Sequence, residues 1–202
     1  QYTDYAVWQQ GQNECGETAR QEHYWLDQFK IEPPLLELPY DFPRPPLQSF
    51  EGASKSFYLE DGTAEQLKRL ARATNRTPFM VYLGIFNIML SRLGGGLDDI
   101  TVGTAVAGRR HADLEPIIGM FVNTLVLRSY IDTEISFKDY LKQVGDTCLE
   151  AFENQEYAFE ELVEKVVERR DVSRNPLFDV MFAYDEKALG DDDGEQEGDG
   201  QE

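Results

Sequence analysis

The stretch that most constrains this chain is Ile117 to Arg128, IIGMFVNTLVLR. From Phe121 onward the residue types alternate, with Phe121, Asn123, Leu125 and Leu127 on one side and Val122, Thr124, Val126 and Arg128 on the other. A period of two predicts a β-strand. Asn123 then sits between large apolar side chains, and a carboxamide taken from water without partners costs about 1–3 kcal/mol by mutational measures. Its partners must be either main-chain groups or a bound molecule.

The remaining pattern supplies what packs on that strand. Tyr2 to Trp8, YTDYAVW, runs into a polar stretch ending in Trp25 and Phe29 and predicts a helix with an aromatic face; the simpler account of Tyr5, Trp8 and Trp25 is that they pack on a core. Six prolines between Ile31 and Leu47 exclude helix interior and predict an extended connection. Ser54 to Leu59 predicts a short strand stopped at Asp61-Gly62. Thr63, with Gln66 three residues on, predicts a capped helix, and Thr77-Pro78 predicts the next, ended by Gly94-Gly95-Gly96. Asp99 to Val106 predicts a strand. Ser136 predicts the cap of a helix that buries Cys148, Phe159 to Val167 predicts another helix, and Leu177 to Tyr184 predicts the last strand. Strands alternating with helices predict an α/β fold, an open mixed sheet with packed helices.

The formal charge of −19 argues against nucleic acid and against an anionic membrane surface, both of which reward Lys and Arg clusters. Seven of the acids fall in Gly190 to Glu202, which predicts an acidic disordered tail or linker behind a body spanning 1–189. In so acidic a chain Arg109 and Arg110 stand out. They either pair with Asp98, Asp113 or Glu115 or serve a substrate or partner. Cys15 and Cys148 have no metal or disulfide spacing, so no metal site is expected and a reducing cytoplasm fits. No apolar run is long enough to span a bilayer.

No self-sufficient catalytic set is present: there is no nucleophile elbow, no phosphate-cradling glycine loop and no HExxH, and His23 and His111 are isolated. His111, beside two arginines, is the one histidine worth a test.

Four stretches taken together carry a resemblance: YTDYAVW at 2–8, VGTAVAGRRHADLEPIIGMFVNTLVLR at 102–128, NQEYAFEELVE at 154–164 and RDVSRNPLFDVMF at 170–182. In order and spacing they resemble the successive motifs of the second half of condensation domains of nonribosomal peptide synthetases. Family members commonly read His-Gln-Asp-x-Pro-Phe-Glu where this chain has Asn154 to Glu160, losing a proline. The family's His-His-x-x-x-Asp-Gly signature is not among the 202 residues, and on the resemblance the chain starts just after it.

The resemblance implies one chloramphenicol-acetyltransferase-like lobe, the C-terminal one of two, with the reaction between them. It implies amide bond formation between a donor acyl or peptidyl thioester and an acceptor aminoacyl thioester, an acyltransferase step of secondary metabolite biosynthesis. No cofactor is expected to bind directly. The phosphopantetheine arms of peptidyl carrier proteins would be the substrates, and the N-terminal condensation lobe and a neighbouring adenylation domain the partners. By the same resemblance this fragment holds no catalytic residue and is inactive alone. Asn123, Phe121 and Leu125 are expected at the substrate tunnel, Tyr5 and Trp8 as packing beneath the active-site segment, and Arg128, Arg174 and Asn175 as structural polar groups. The alternative is a non-catalytic condensation-like module that binds carrier or partner proteins.

Overall fold

A computed structural model describes residues 1–14, 16–49, 51–169 and 171–185. Cys15 and the acidic segment 190–202 lie outside them.

The chain runs as helices α1 (Tyr2–Glu14), α2 (Glu17–Gln28), α3 (Asp61–Thr74) and α4 (Pro78–Leu93), strand β1 (Asp99–Val106), strand β2 (Asn123–Tyr130), and helices α5 (Phe137–Glu153) and α6 (Phe159–Val166). The expected single aromatic helix is two helices. Gly16 stands at φ 82° at the N-terminus of α2, a left-handed backbone that glycine adopts freely.

Thr77 caps α4 by accepting the Met80 N–H at 3.3 Å, with Pro78 in the first helical position. Ser136 caps α5 through the Asp139 N–H at 3.2 Å. The capping box expected at Thr63 and Gln66 does not form. The helix starts two residues earlier at Asp61, and its cap position, Glu60, makes no side-chain cap bond.

β1 and β2 pair antiparallel from Asp99 opposite Tyr130 to Val106 opposite Asn123. The expected strand 177–184 contributes one parallel bridge, with Gly103 bonded to Val180 and Phe182 at 2.9 and 2.8 Å. A Cβ at Gly103 would stand 2.6 Å from the Phe178 ring, so the bare α-carbon is what lets this segment lie against β1. An antiparallel pair with a parallel bridge is a small mixed, open sheet. The expected strand at 54–59 does not form: residues 51–60 have no regular structure and all are exposed, and no described strand offers them a ladder.

β2 is covered on both faces. Ser129 Oγ accepts from Asn87 of α4 at 3.0 Å, while Arg128, its neighbour on the opposite face, reaches the end of α2. Leu125, Val126 and Leu127 are each at most 2% exposed. The core spans both faces and takes in Trp25, Leu83, Ile100, Val102, Val144 and Cys148. The proline-rich connection 31–47 is extended as expected, with Leu36 buried at the C-terminal end of α4 against Gly94.

Candidate functional site

The strand pair ends where Val106 meets Asn123, and four separate stretches converge on that end. They are the aromatic face of α1, the connection Ala107 to Val122, the first residue of β2, and the turn Asn154 to Ala158 between α5 and α6.

Asn123 is half-buried and all of its hydrogen-bonding groups are used. Nδ2 donates to the carbonyls of Gln155 and Tyr157, each at 2.8 Å, and Oδ1 accepts from the N–H groups of Thr124 at 2.8 Å and Phe159 at 3.2 Å. Of the two kinds of partner left open by the sequence, the structure supplies main chain. A carboxamide has two donors and one oxygen with two lone pairs, so none is left over for a pantetheine amide.

The same turn is held from its other side by α2. Gln21, 2% exposed, accepts the Glu156 and Tyr157 N–H groups at 3.1 Å each on its Oε1. Trp25 Nε1 donates to the Asn154 carbonyl at 2.8 Å, and Arg20 donates to Asn154 Oδ1 at 3.1 Å. Side-chain amides and an indole do here what a proline would do by ring closure: they restrict the backbone of 154–158. Nothing in the residue pattern singles out Gln21. A glutamine one helical turn before Trp25 on a helix face is the only mark it leaves, and it matters only through partners some 135 residues away.

Phe121, 7% exposed, is the centre of the aromatic group. Tyr2 and Tyr5 pack on its ring with centroids at 5.2 and 4.8 Å, Trp8 packs on Tyr5 at 5.7 Å, and the Arg109 guanidinium lies over Phe121 at 4.1 Å. The Tyr2 hydroxyl donates to the Met120 carbonyl at 2.9 Å. Tyr5 and Trp8 therefore pack beneath the segment that leads into β2. Leu125, 1% exposed, lies deeper, in the core.

Neither arginine takes the carboxylates expected for it. Arg109 Nη1 donates to the carbonyls of Leu114 and of Ile117, the latter at 2.9 Å, and Nη2 to that of Gly119 at 3.4 Å. Arg110 faces Glu156 at 3.7 Å, an exposed pair worth little in stability. His111 stands edge-on to Trp8 at 5.5 Å. The Tyr5 phenol is held above its ordinary range, first by burial and then by the negative charge of Glu156. Among the described residues no cluster of His, Cys, Asp and Glu could hold a metal ion.

The other polar residues lie elsewhere. Arg128 is a fully engaged brace: it makes a bidentate pair with Asp99 at 3.0 and 2.6 Å and donates to the carbonyls of Gln28 and Ile31 at 2.8 and 2.7 Å. It ties the strand pair to the end of α2. Arg174 approaches Asp179 at 3.4 Å, though its Nε makes no hydrogen bond, and Asn175 is exposed on the rim of a groove of about 570 Å³ formed with α6 and the residues 32–36. Asn175 braces nothing visible among the described residues.

A family model described as "Condensation domain" matches residues 1–201. The chain is 51% identical over 182 residues to a plipastatin synthase of Bacillus subtilis (strain 168), covering 90% of this chain and 7% of that protein. It is 48% identical over 183 residues to tyrocidine synthase 3 of Brevibacillus parabrevis, covering 91% of this chain and 3% of that one. The chain thus spans less than a tenth of the length of these relatives. Among solved structures, it superposes with TM-score 0.77 and 30% identity on a holo four-domain nonribosomal peptide synthetase bound to AMP and glycine, over 80% of this chain and 12% of that one. It superposes with TM-score 0.78 and 25% identity on the X-domain from teicoplanin biosynthesis, over 90% of this chain and 41% of that one.

Proposed function

This chain belongs to the condensation-domain family, and from that premise we propose that it is one wall of an amide-forming site in a nonribosomal peptide synthetase. The observation that carries the reading is the convergence of α1, the connection 107–122, Asn123 and the turn 154–158 at one end of the strand pair. Three of the four motif stretches meet there, although they are far apart in sequence.

An amine attacking a thioester needs two tethered reactants brought close and aligned, a group to position or accept a proton, and donors for the developing oxyanion. The residues here suit the first of these needs. Phe121 is held by the rings of Tyr2 and Tyr5 and by Arg109, Asn123 by four main-chain hydrogen bonds, and Ile118, Met120 and Val122 present apolar side chains outward, 95, 77 and 58% exposed. The wall is rigid and mostly apolar. Asn123 acts in this reading as the residue that fixes the wall, with Phe121 and Leu125 behind it, rather than as a hydrogen-bond donor to the arriving arm.

The proton-handling group would come from the partner lobe. His23 and His111 do not form a paired signature, so the 202-residue chain by itself is expected to form no amide. The substrates would be thioesters on the phosphopantetheine arms of two carrier proteins, and the setting the cytoplasm. No helix among the described residues is long and apolar enough to cross a membrane.

The test is reconstitution. The parent protein's complete condensation region, given donor- and acceptor-loaded carrier proteins, should yield the amide by mass spectrometry, and the 202-residue chain should not. Carrier binding by the complete region without amide would favour the non-catalytic module instead.

A further inference from the structure

We propose that Arg109 is a positioning residue for the amide-forming site, acting from inside the connection between β1 and β2; the inference rests on the condensing reading above. The connection from Ala107 to Val122 carries only one short 3-10 turn, Ala112–Leu114, and is otherwise irregular, at a length beyond the usual few residues of a hairpin loop. Its neck is closed by contact of main chain on main chain. Gly108 has φ 66°, and a Cβ there would fall 1.8 Å from the Phe121 carbonyl oxygen.

The loop has little apolar interior of its own. Leu114 is buried, but Ile118, Met120 and Val122 point outward, and the carbonyls of Leu114, Ile117 and Gly119 turn inward. The Arg109 guanidinium fills that interior. Its planar fork reaches all three carbonyls from one side chain, and its central carbon lies over the ring of Phe121, the residue two before Asn123. An ammonium group can match the charge but not the fork that reaches three carbonyls at once. Without the guanidinium the three carbonyls lose their donor and Phe121 loses one of its covers, so the loop leaves the conformation that places the outward ledge and the start of β2. A displacement of about 1 Å in a wall that aligns two reactants can cost on the order of a hundredfold in rate.

The experiment compares wild type, Arg109→Gln and Arg109→Lys in the complete condensation region with both carriers loaded, alongside hydrogen exchange on the 202-residue chain. Both variants are expected to stay folded, to exchange faster at 107–122, and to lose about tenfold or more in kcat at unchanged KM for the acceptor carrier. Loss of bulk stability alone would lower the active fraction but leave the rate per folded molecule unchanged. A rate per folded molecule within twofold of wild type in Arg109→Gln would overturn the proposal, as would full rescue by Arg109→Lys. If the wild-type region makes no amide, the condensing reading itself fails and the positioning role goes with it, a result distinct from an active wild type with an equally active variant.

Discussion

Gln21 and Asn123 hold opposite ends of one residue: the Tyr157 N–H bonds to Gln21 Oε1 at 3.1 Å, and the Tyr157 carbonyl accepts from Asn123 Nδ2 at 2.8 Å. One amide comes from α2 and the other from the first residue of β2. The turn 154–158 is thus suspended between a helix and the sheet.

Replacing Asn123 by Ala should destabilise the chain by about 1–3 kcal/mol, since it strips the Gln155 and Tyr157 carbonyls and the Phe159 N–H of their partner. Asn123→Asp should cost a similar amount, because a carboxylate has no N–H to give either carbonyl. Urea unfolding checks both. A variant as stable as wild type but slow in the reconstituted reaction would restore a direct role at the tunnel.

Gln21→Ala and Asn123→Ala should be non-additive. Each loosens the same turn, so the double variant is expected to cost less than the sum by about 0.5 kcal/mol or more. A double-mutant cycle on unfolding free energies measures this, and additivity would show that the two grips act independently.

Arg128→Ala should be the most damaging of these changes. It leaves Asp99 unpaired with its side chain 13% exposed and two carbonyls without donors, and breaking such a pair typically costs about 3–5 kcal/mol. Arg128→Lys should recover little, since one ammonium cannot serve Asp99, Gln28 and Ile31 in that geometry. Loss of soluble folded protein or a lowered urea midpoint reads this out.

Gly108→Ala should loosen the neck of the connection. The left-handed backbone alone costs a residue with a Cβ about 1–2 kcal/mol, and the contact with the Phe121 carbonyl adds to it. Faster hydrogen exchange confined to 107–122 is the expected signature.

Stability should fall in alkali. Burial pushes the Cys148 thiol from 9.0 up to about 12, and it raises the Tyr24 and Tyr140 phenols in the same sense. Above about pH 9 the unfolded chain sheds the thiol proton while the folded chain keeps it, so the unfolded form gains. The contribution is intact below pH 9 and is lost progressively as pH rises towards 12. Melting temperature against pH tests this, and Cys148→Ala should flatten the first part of the decline. Cys148 should also resist thiol reagents until the chain unfolds.

What could be read from the sequence follows from the range of the interactions. Thr77 and Ser136 announce their helices because a cap acts within three residues, and β1 announces itself by its β-branched run. The strand expected at 54–59 offers only a weak alternation with no β-branched residue, and no described strand pairs with it; pairing is decided by neighbours. At the site, Phe121, Asn123, Tyr5 and Trp8 stand out by type and spacing. The duties of Gln21 and Arg109 do not, because one meets its partners only after the chain has folded back from beyond β2, and the other directs its charge at carbonyls, which every residue carries. Asn123 shows the limit most plainly: the sequence requires partners for it, and only the fold says that they are main chain.

The suspended turn also bears on synthesis. Trp25 and Gln21 emerge early, but the groups that satisfy them, from Asn154 to Tyr157, lie 129 to 136 residues later. At the usual pace of translation, about 5–20 residues per second, α2 waits for roughly 6 to 27 seconds before the partners of its indole and its buried amide arrive. This end of the domain therefore cannot close progressively as the chain leaves the ribosome; it closes late, when the turn after α5 arrives.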